Sequence, residues 1–127
     1  MTGELPPDGE PAIRTIAMPS DTNPNGDIFG GWLMAQMDLA GGSTAWRHAG
    51  GRTATVAVDS MTFHRPVKVG DVVSIYTRVI GVGRTSMRIL IEAWSRSRQG
   101  EMSKVTSATF VFVAIGSDGR PRPINQP

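Results

Sequence analysis

Residues 19–45 read PSDTNPNGDIFGGWLMAQMDLAGGSTA, a polar loop that runs through a glycine pair into a long stretch able to form a helix. The loop, Ser20 to Asp27, is dense in turn formers. Asn23-Pro24 and Asn25-Gly26 each favour a turn, and Asp27 is a good N-cap for the helix beyond it. From Ile28 to about His48 only the glycines oppose a helix. On that helix Gly31, Ala35, Asp38, Gly42 and Ala45 recur at four, three, four and three residues and share one face, small except for one carboxylate. Leu33, Met37, Ala40 and Thr44 form an apolar face beside it, and Met34 with Trp46 extends the cover. A helix apolar on so many sides is expected to be buried and wrapped by other elements. Asp38 then lies mid-helix in an apolar setting, where a charge is costly unless it is paired or used. Glycine in a helix interior costs roughly 1 kcal/mol relative to alanine. Gly41-Gly42 beside the carboxylate therefore points to close approach of a ligand or another backbone. A structural role for Asp38 stays open at this level: it could cap a break at the glycine pair or pair with an arginine.

Working outward, Ala49-Gly50-Gly51 ends the helix and the apolar period becomes two. Thr53–Phe63 alternates, with Ala54, Val56 and Val58 on one side and Ala57, Asp59, Met61 and Phe63 on the other. Asp59 reads as a solvated strand residue or an interface contact. Pro66 and Gly70-Asp71 lead into a second long strand, Val72–Val82, and Gly83 marks a turn. Ser86–Ser97 comes next, with Met87, Ile89, Ile91 and Ala93 alternating against Arg88, Leu90, Glu92 and Trp94. Arg98-Gln99-Gly100 turns the chain into Lys104–Ile115, thick with β-branched and aromatic residues. Upstream, Ala12–Met18 is a short first strand and residues 1–11 a flexible arm. The tail from Gly116 is turn-rich. One short strand, one long helix and four strands joined by short turns imply mainly antiparallel pairing. The class is α+β: one long central helix wrapped by a curved sheet of five to six strands, a single domain over residues 12–124. One face and at least one edge of such a sheet need cover, so self-association is expected, with a dimer as the minimum.

Composition narrows the chemistry. The 127 residues suggest one domain, and a net charge of +2 is too small to argue for nucleic acid. Cysteine is absent, which removes disulfides, thiol catalysis and cysteine-ligated metal. Two histidines, His48 and His64, are too few for a histidine metal cluster. The apolar runs fall far short of a membrane span, and MTGELPPDGEP carries no basic-then-apolar signal pattern. A cytoplasmic protein with no membrane insertion is expected.

The string MPSDTNPNGDIFGGWLMAQMD at 18–38 resembles the entry loop and central helix of hotdog-fold acyl-CoA thioesterases of the bacterial YciA type, which are similar to the eukaryotic cytosolic acyl-CoA hydrolases. The likeness continues in VAVDSMTFHRPVKVGDVV at 56–73, VGRTSMRI at 82–89 and TSATFVFVAIGSDGRPRPI at 106–124. The resemblance implies the hotdog fold and an acyl-CoA substrate, with coenzyme A as part of substrate and product rather than a cofactor. It implies a dimer with one continuous sheet, and a trimer of such dimers. Asp38 matches the family's catalytic aspartate. Asn23 falls near the loop asparagine with a catalytic role in the eukaryotic relatives, and Asn25 is its alternative. Ser60, in the second block, is carried as a substrate contact.

Thioester hydrolysis needs an activated water or a nucleophile, plus donors for the carbonyl oxygen. With no cysteine and no Gly-x-Ser-x-Gly elbow, the remaining catalyst is a carboxylate. Asp38 could act as general base or attack the thioester itself. Free N–H groups of a first helical turn at Gly30, Gly31 and Trp32 could bind the oxyanion. The turn Val82-Gly83-Arg84-Thr85-Ser86 offers an arginine and two hydroxyls for the phosphates of coenzyme A, and a plain turn with a solvated arginine reads equally well. Arg120 and Arg122 are weaker phosphate candidates or an exposed polar tail. His64 and Arg65 could also reach the ligand. Two other classes compete: a non-catalytic acyl-CoA-binding hotdog, and a hotdog dehydratase, which needs a histidine paired with a carboxylate.

Overall fold

The computed structural model describes residues 4–124. Their order is β1 (Ile13–Ile16), a 3-10 turn (Pro19–Asp21), α1 (Gly30–Ala49), β2 (Thr53–Val58), β3 (Val72–Val82), β4 (Ser86–Arg96) and β5 (Met102–Ala114). All pairings are antiparallel, in the order β1-β3-β4-β5-β2. The sheet thus has five strands, and α1 packs on one face of it against β2, β3, β4 and β5. This is the α+β arrangement expected. The β2 strand is shorter than the alternating pattern suggested: it ends at Val58, and the chain then crosses without regular structure to Pro66.

The buried stripe of α1 is Leu33, Met37, Ala40, Gly41, Ala45 and Ala49. It meets the inward strand residues Met87, Ile89, Ile91, Phe110 and Phe112, all buried. The rest of the helix is not wrapped, contrary to expectation. Leu39, Trp46 and Met34 are 63%, 57% and 40% exposed. A single sheet can cover only one stripe of a helix, so the other apolar residues stay in solvent in one copy. Gly41 explains part of the glycine pair. A Cβ there would stand 2.5 Å from Ile91 Cδ1 and 2.8 Å from Phe112 Cζ, so the close approach is to core side chains and not to a ligand or backbone. Gly42 has only Phe112, at 4.0 Å, within reach of a Cβ.

The helix ends also differ from the sequence reading. Its N-cap is Phe29, with no side-chain hydrogen bond, and not Asp27. The Asp27 backbone is held by the preceding turn instead: Asn23 N–H donates to its carbonyl at 2.7 Å, and its own N–H donates to Asn23 Oδ1 at 3.1 Å. At the other end Gly50 is left-handed, with φ of 71°, and its N–H closes on the Trp46 carbonyl at 2.9 Å. Arg122 reaches the same end from the tail. Its Nη2 donates to the Ala49 carbonyl at 3.1 Å and its Nε to the Ile115 carbonyl at 3.3 Å. A cation on the last helical carbonyl complements the helix dipole.

On the outer face of the sheet Trp94 and Tyr76 are buried. Trp94 Nε1 donates to Glu92 Oε1 at 2.9 Å, and Lys104 Nζ lies 6.0 Å from the Trp94 ring. Of the arm expected over 1–11, residues 1–3 lie outside the described residues. Residues 4–11 form no regular element and run over this face, where Pro7, Asp8 and Glu10 share a hollow with Tyr76 and Glu92, and Glu4 pairs with Lys104 at 3.3 Å. Among the described residues no helix is long and apolar enough to cross a membrane.

The two glycines should answer alanine with opposite signs. Gly41→Ala forces a methyl against side chains that are themselves buried, and is expected to destabilise by about 1–3 kcal/mol. Gly42→Ala has room and gains up to about 1 kcal/mol of helix propensity. Chemical denaturation of the two variants beside wild type checks this through the midpoint at unchanged slope.

Candidate active site

Asp38 comes directly after Met37 on the helix and so turns off the buried stripe onto the flank facing β2. It is exposed, not enclosed. Among the described residues its side-chain hydrogen bond comes from the sheet: Thr55 Oγ1 on β2 donates to Asp38 Oδ1 at 2.5 Å. The two structural roles read from the sequence are not observed. The helix runs unbroken through Gly41-Gly42, and Asp38 joins no ion pair among the described residues. Asp38 lines a groove of about 500 Å³ together with Gly42, Trp46, Arg47, Thr53, Thr55 and Phe112. A carboxylate with one oxygen held by a hydroxyl and the other open to a groove is suited to receive a proton or to attack an electrophile.

The other expected site residues gather at the start of α1. Gly30, Gly31 and Trp32 occupy the first turn, where N–H groups have no helical acceptor. An apolar hollow of about 220 Å³ lies beside them, lined by Ile28, Phe29, Leu33, Phe63, Val67 and Val105 among others. The Phe63 ring sits over the helix start, 3.5 Å from where a Gly30 Cβ would stand, an ordinary contact. Asn23 organises the preceding loop: its Oδ1 accepts from Asn25 N at 2.9 Å and Asp27 N at 3.1 Å. That leaves its amide N–H₂ as the available donor, whereas the exposed Asn25 contributes only backbone.

One copy does not bring these two groups together. Gly30 and Asp38 are eight residues apart on one helix, about 12 Å along the axis. A base or nucleophile must come within about 3–3.5 Å of the reacting atoms, and oxyanion donors within about 3 Å of the same carbonyl's oxygen.

The remaining candidates are scattered. Ser60 is exposed just beyond β2. Arg84 is exposed in the β3–β4 turn, which closes through Gly83 N–H to the Ser86 carbonyl at 2.8 Å. Thr85 and Ser86 are half-buried, and the backbones of Arg84 and Thr85 accept from Ile124 and Ala114. Arg122 is neither a solvated tail residue nor free for phosphate, since it caps α1. Asp59 pairs on the surface with Arg88 at 2.9 Å. His48 and His64 are exposed, and neither pairs with a carboxylate among the described residues. The described residues contain no cluster of three or more metal-ligating groups. Thr55 went unread in the sequence. Its only signal was a hydroxyl, beside that of Thr53, in a strand otherwise of Ala and Val just after the helix.

A model of the thioesterase superfamily matches residues 25–113. The acyl-CoA thioester hydrolase YciA of Salmonella typhimurium is 52% identical over 122 residues, which cover 93% of this chain and 92% of that protein. The solved hexameric thioesterase of Yersinia pestis is 50% identical with a TM-score of 0.90, covering 95% of this chain and 99% of that one. A hexameric broad-specificity acyl-coenzyme A thioesterase has a TM-score of 0.92 at 47% identity, covering 98% and 87%.

Proposed function

The chain belongs to the thioesterase superfamily, and from that premise we propose that it is an acyl-CoA thioester hydrolase, releasing a free acid and coenzyme A, with Asp38 as its catalytic carboxylate. The observation that carries the role of Asp38 is the Thr55 hydrogen bond on a carboxylate that joins no ion pair among the described residues and opens onto a groove. Asp38 either takes the proton from a water that attacks the thioester carbon and passes it to the departing thiolate of coenzyme A, or attacks that carbon itself and displaces the thiolate, leaving an aspartyl anhydride that water then hydrolyses. Thr55 is a positioning residue: its hydroxyl holds one oxygen and so aims the other.

The donors for the carbonyl oxygen come from a second copy. The outer edge of β2 is unpaired among the described residues, and Val56 through Val58 are exposed. A strand paired to its own two-fold mate is necessarily antiparallel, so the joined sheet sets the two helices antiparallel side by side. Within one copy β2 runs back along α1, with Thr55 opposite Asp38. An axis near Ala57 crosses the helix roughly a turn before Asp38, at a strand rise of about 3.4 Å and a helix rise of about 1.5 Å per residue. Rotation about it brings the first turn of the mate's helix against Asp38. In this arrangement Gly30, Gly31 and Trp32 offer N–H groups to the oxyanion, and Asn23 its amide. The exposed Met34, Leu39, Trp46, Val56 and Val58 are covered by the same pairing. The protein is then a homo-oligomer built on dimers, and the hexameric relatives favour a trimer of them.

Coenzyme A runs from the groove towards the end of the sheet where Thr53, Thr85 and Ser86 lie, with Arg84 as a phosphate contact and the second copy's Ser60 and Asn25 along the way. The reaction as written needs no cofactor, since coenzyme A is part of the substrate. The exposed, separate histidines speak against a dehydratase, and the oriented carboxylate speaks against a non-catalytic binder.

Asp38→Asn is expected to lower turnover of an acyl-CoA at least about a hundredfold, as loss of a general base does, with the melting temperature kept. Thiol release read with a thiol reagent is clean here because the protein has no cysteine. Near wild-type turnover in a folded Asp38→Asn oligomer contradicts the assignment. Thr55→Val keeps the shape and removes the donor. A hydrogen bond to a charged acceptor is worth about 1.5–3 kcal/mol, so kcat should fall about tenfold or more with KM little changed, and Thr55→Ser should restore it.

A further inference from the structure

Away from the groove that holds Asp38, a second cleft of about 340 Å³ opens between the β4–β5 turn and the loop leading into β3. Arg65, Lys68 and Arg98 stand around it, with Ser97 and Ser103 between them. None of these three cations forms an ion pair among the described residues. The cleft also contains two carboxylates, Asp71 and Glu101, so three cations against two carboxylates leave +1. The two are not equivalent. Asp71 is buried and already satisfied, accepting from Lys68 N–H at 2.9 Å and from the Ser95 hydroxyl at 3.0 Å. Glu101 is exposed at the rim.

The Arg98 guanidinium lies over a glycine. A Cβ on Gly70 would stand 2.6 Å from Arg98 Nε and 2.9 Å from Nη2, so the guanidinium lies directly on the Gly70 backbone. Gly70 also has φ of 93°, a region other residues rarely adopt. The backbone conformation thus favours glycine at the point over which the cation lies. A planar fork, a second arginine and a lysine, with hydroxyl donors beside them, match the oxygens of a phosphate better than a single carboxylate.

We propose that this cleft binds the phosphate groups of a nucleotide-type ligand, as a diphosphate or a phosphomonoester. Arg65 and Pro66 line both the cleft and the apolar hollow beside Gly30, so the site opens next to the start of α1. The phosphates come either from the coenzyme A of a bound substrate or from a separate nucleotide. The shared chemistry does not depend on which, and it does not rest on the hydrolase reading.

The probe is inorganic pyrophosphate, titrated calorimetrically into the full-length oligomer. Wild type is expected to bind it, and the double variant Lys68→Ala with Arg98→Ala to bind at least about tenfold more weakly, a loss of about 1.4 kcal/mol. Equal affinity in both, or no binding to wild type, overturns the proposal. Lys68→Gln with Arg98→Gln, which keeps the side-chain stems, replaces the double variant should that not fold. Kinetics identify the source of the phosphates. A KM for acyl-CoA raised about tenfold in the double variant, with the KM for an acyl-pantetheine thioester unchanged, assigns the cleft to the substrate's own phosphates. An unchanged acyl-CoA KM beside a lost pyrophosphate titration assigns it to a separate ligand. The titration needs no turnover, so its failure is distinct from a failure of the proposed activity.

Discussion

Gly41 brings the α1 backbone so close to Ile91 and Phe112 that no Cβ would fit between them. This contact fixes the height of the helix over the sheet and its rotation about its own axis. With Gly41, Met37 and Ala45 facing inward, Asp38 must emerge on the flank, within hydrogen-bonding distance of Thr55 on β2. A larger residue at Gly41 would lift or roll the helix and break that register. Core packing and the orientation of the Asp38 carboxylate therefore share one cause.

The elements and their inward faces were legible because periodicity reports them directly. The alternation of Met87, Ile89, Ile91 and Ala93 corresponds to buried positions on β4. What failed was inference about environment. The apolar content of α1 argued for full burial, yet one sheet covers one stripe, and Leu39, Met34 and Trp46 remain exposed in a single copy. Asp27 has the right chemistry for an N-cap, but Asn23 ties its backbone into a tight turn, and the helix starts later. Arg122 looked like a tail residue because nothing local shows that the tail folds back beside Ile115 to reach Ala49. Thr55 was invisible for the same reason: its role depends on a long-range approach to Asp38 that no spacing reveals.

The candidate site was legible as a set of residue types, and its incompleteness became visible only with the fold. Asp38 and the helix start each have the chemistry one half of a thioester reaction needs, and the length of α1 keeps them apart. The free edge of β2, the exposed apolar residues beside it and the hexameric relatives all favour completion by another copy.

That two-copy site is tested most directly by subunit mixing. Asp38→Asn and Asn23→Ala chains are each expected to form nearly inactive oligomers. Unfolded and refolded together, they should form mixed dimers in which Asp38 of one chain meets Asn23 of the other, restoring one intact site per mixed dimer. Random pairing makes half the dimers mixed with one of two sites intact, so activity should return to about a quarter of wild type. Activity that stays at the level of the separate variants would mean that both residues act within one copy, and the shared-site account would be wrong.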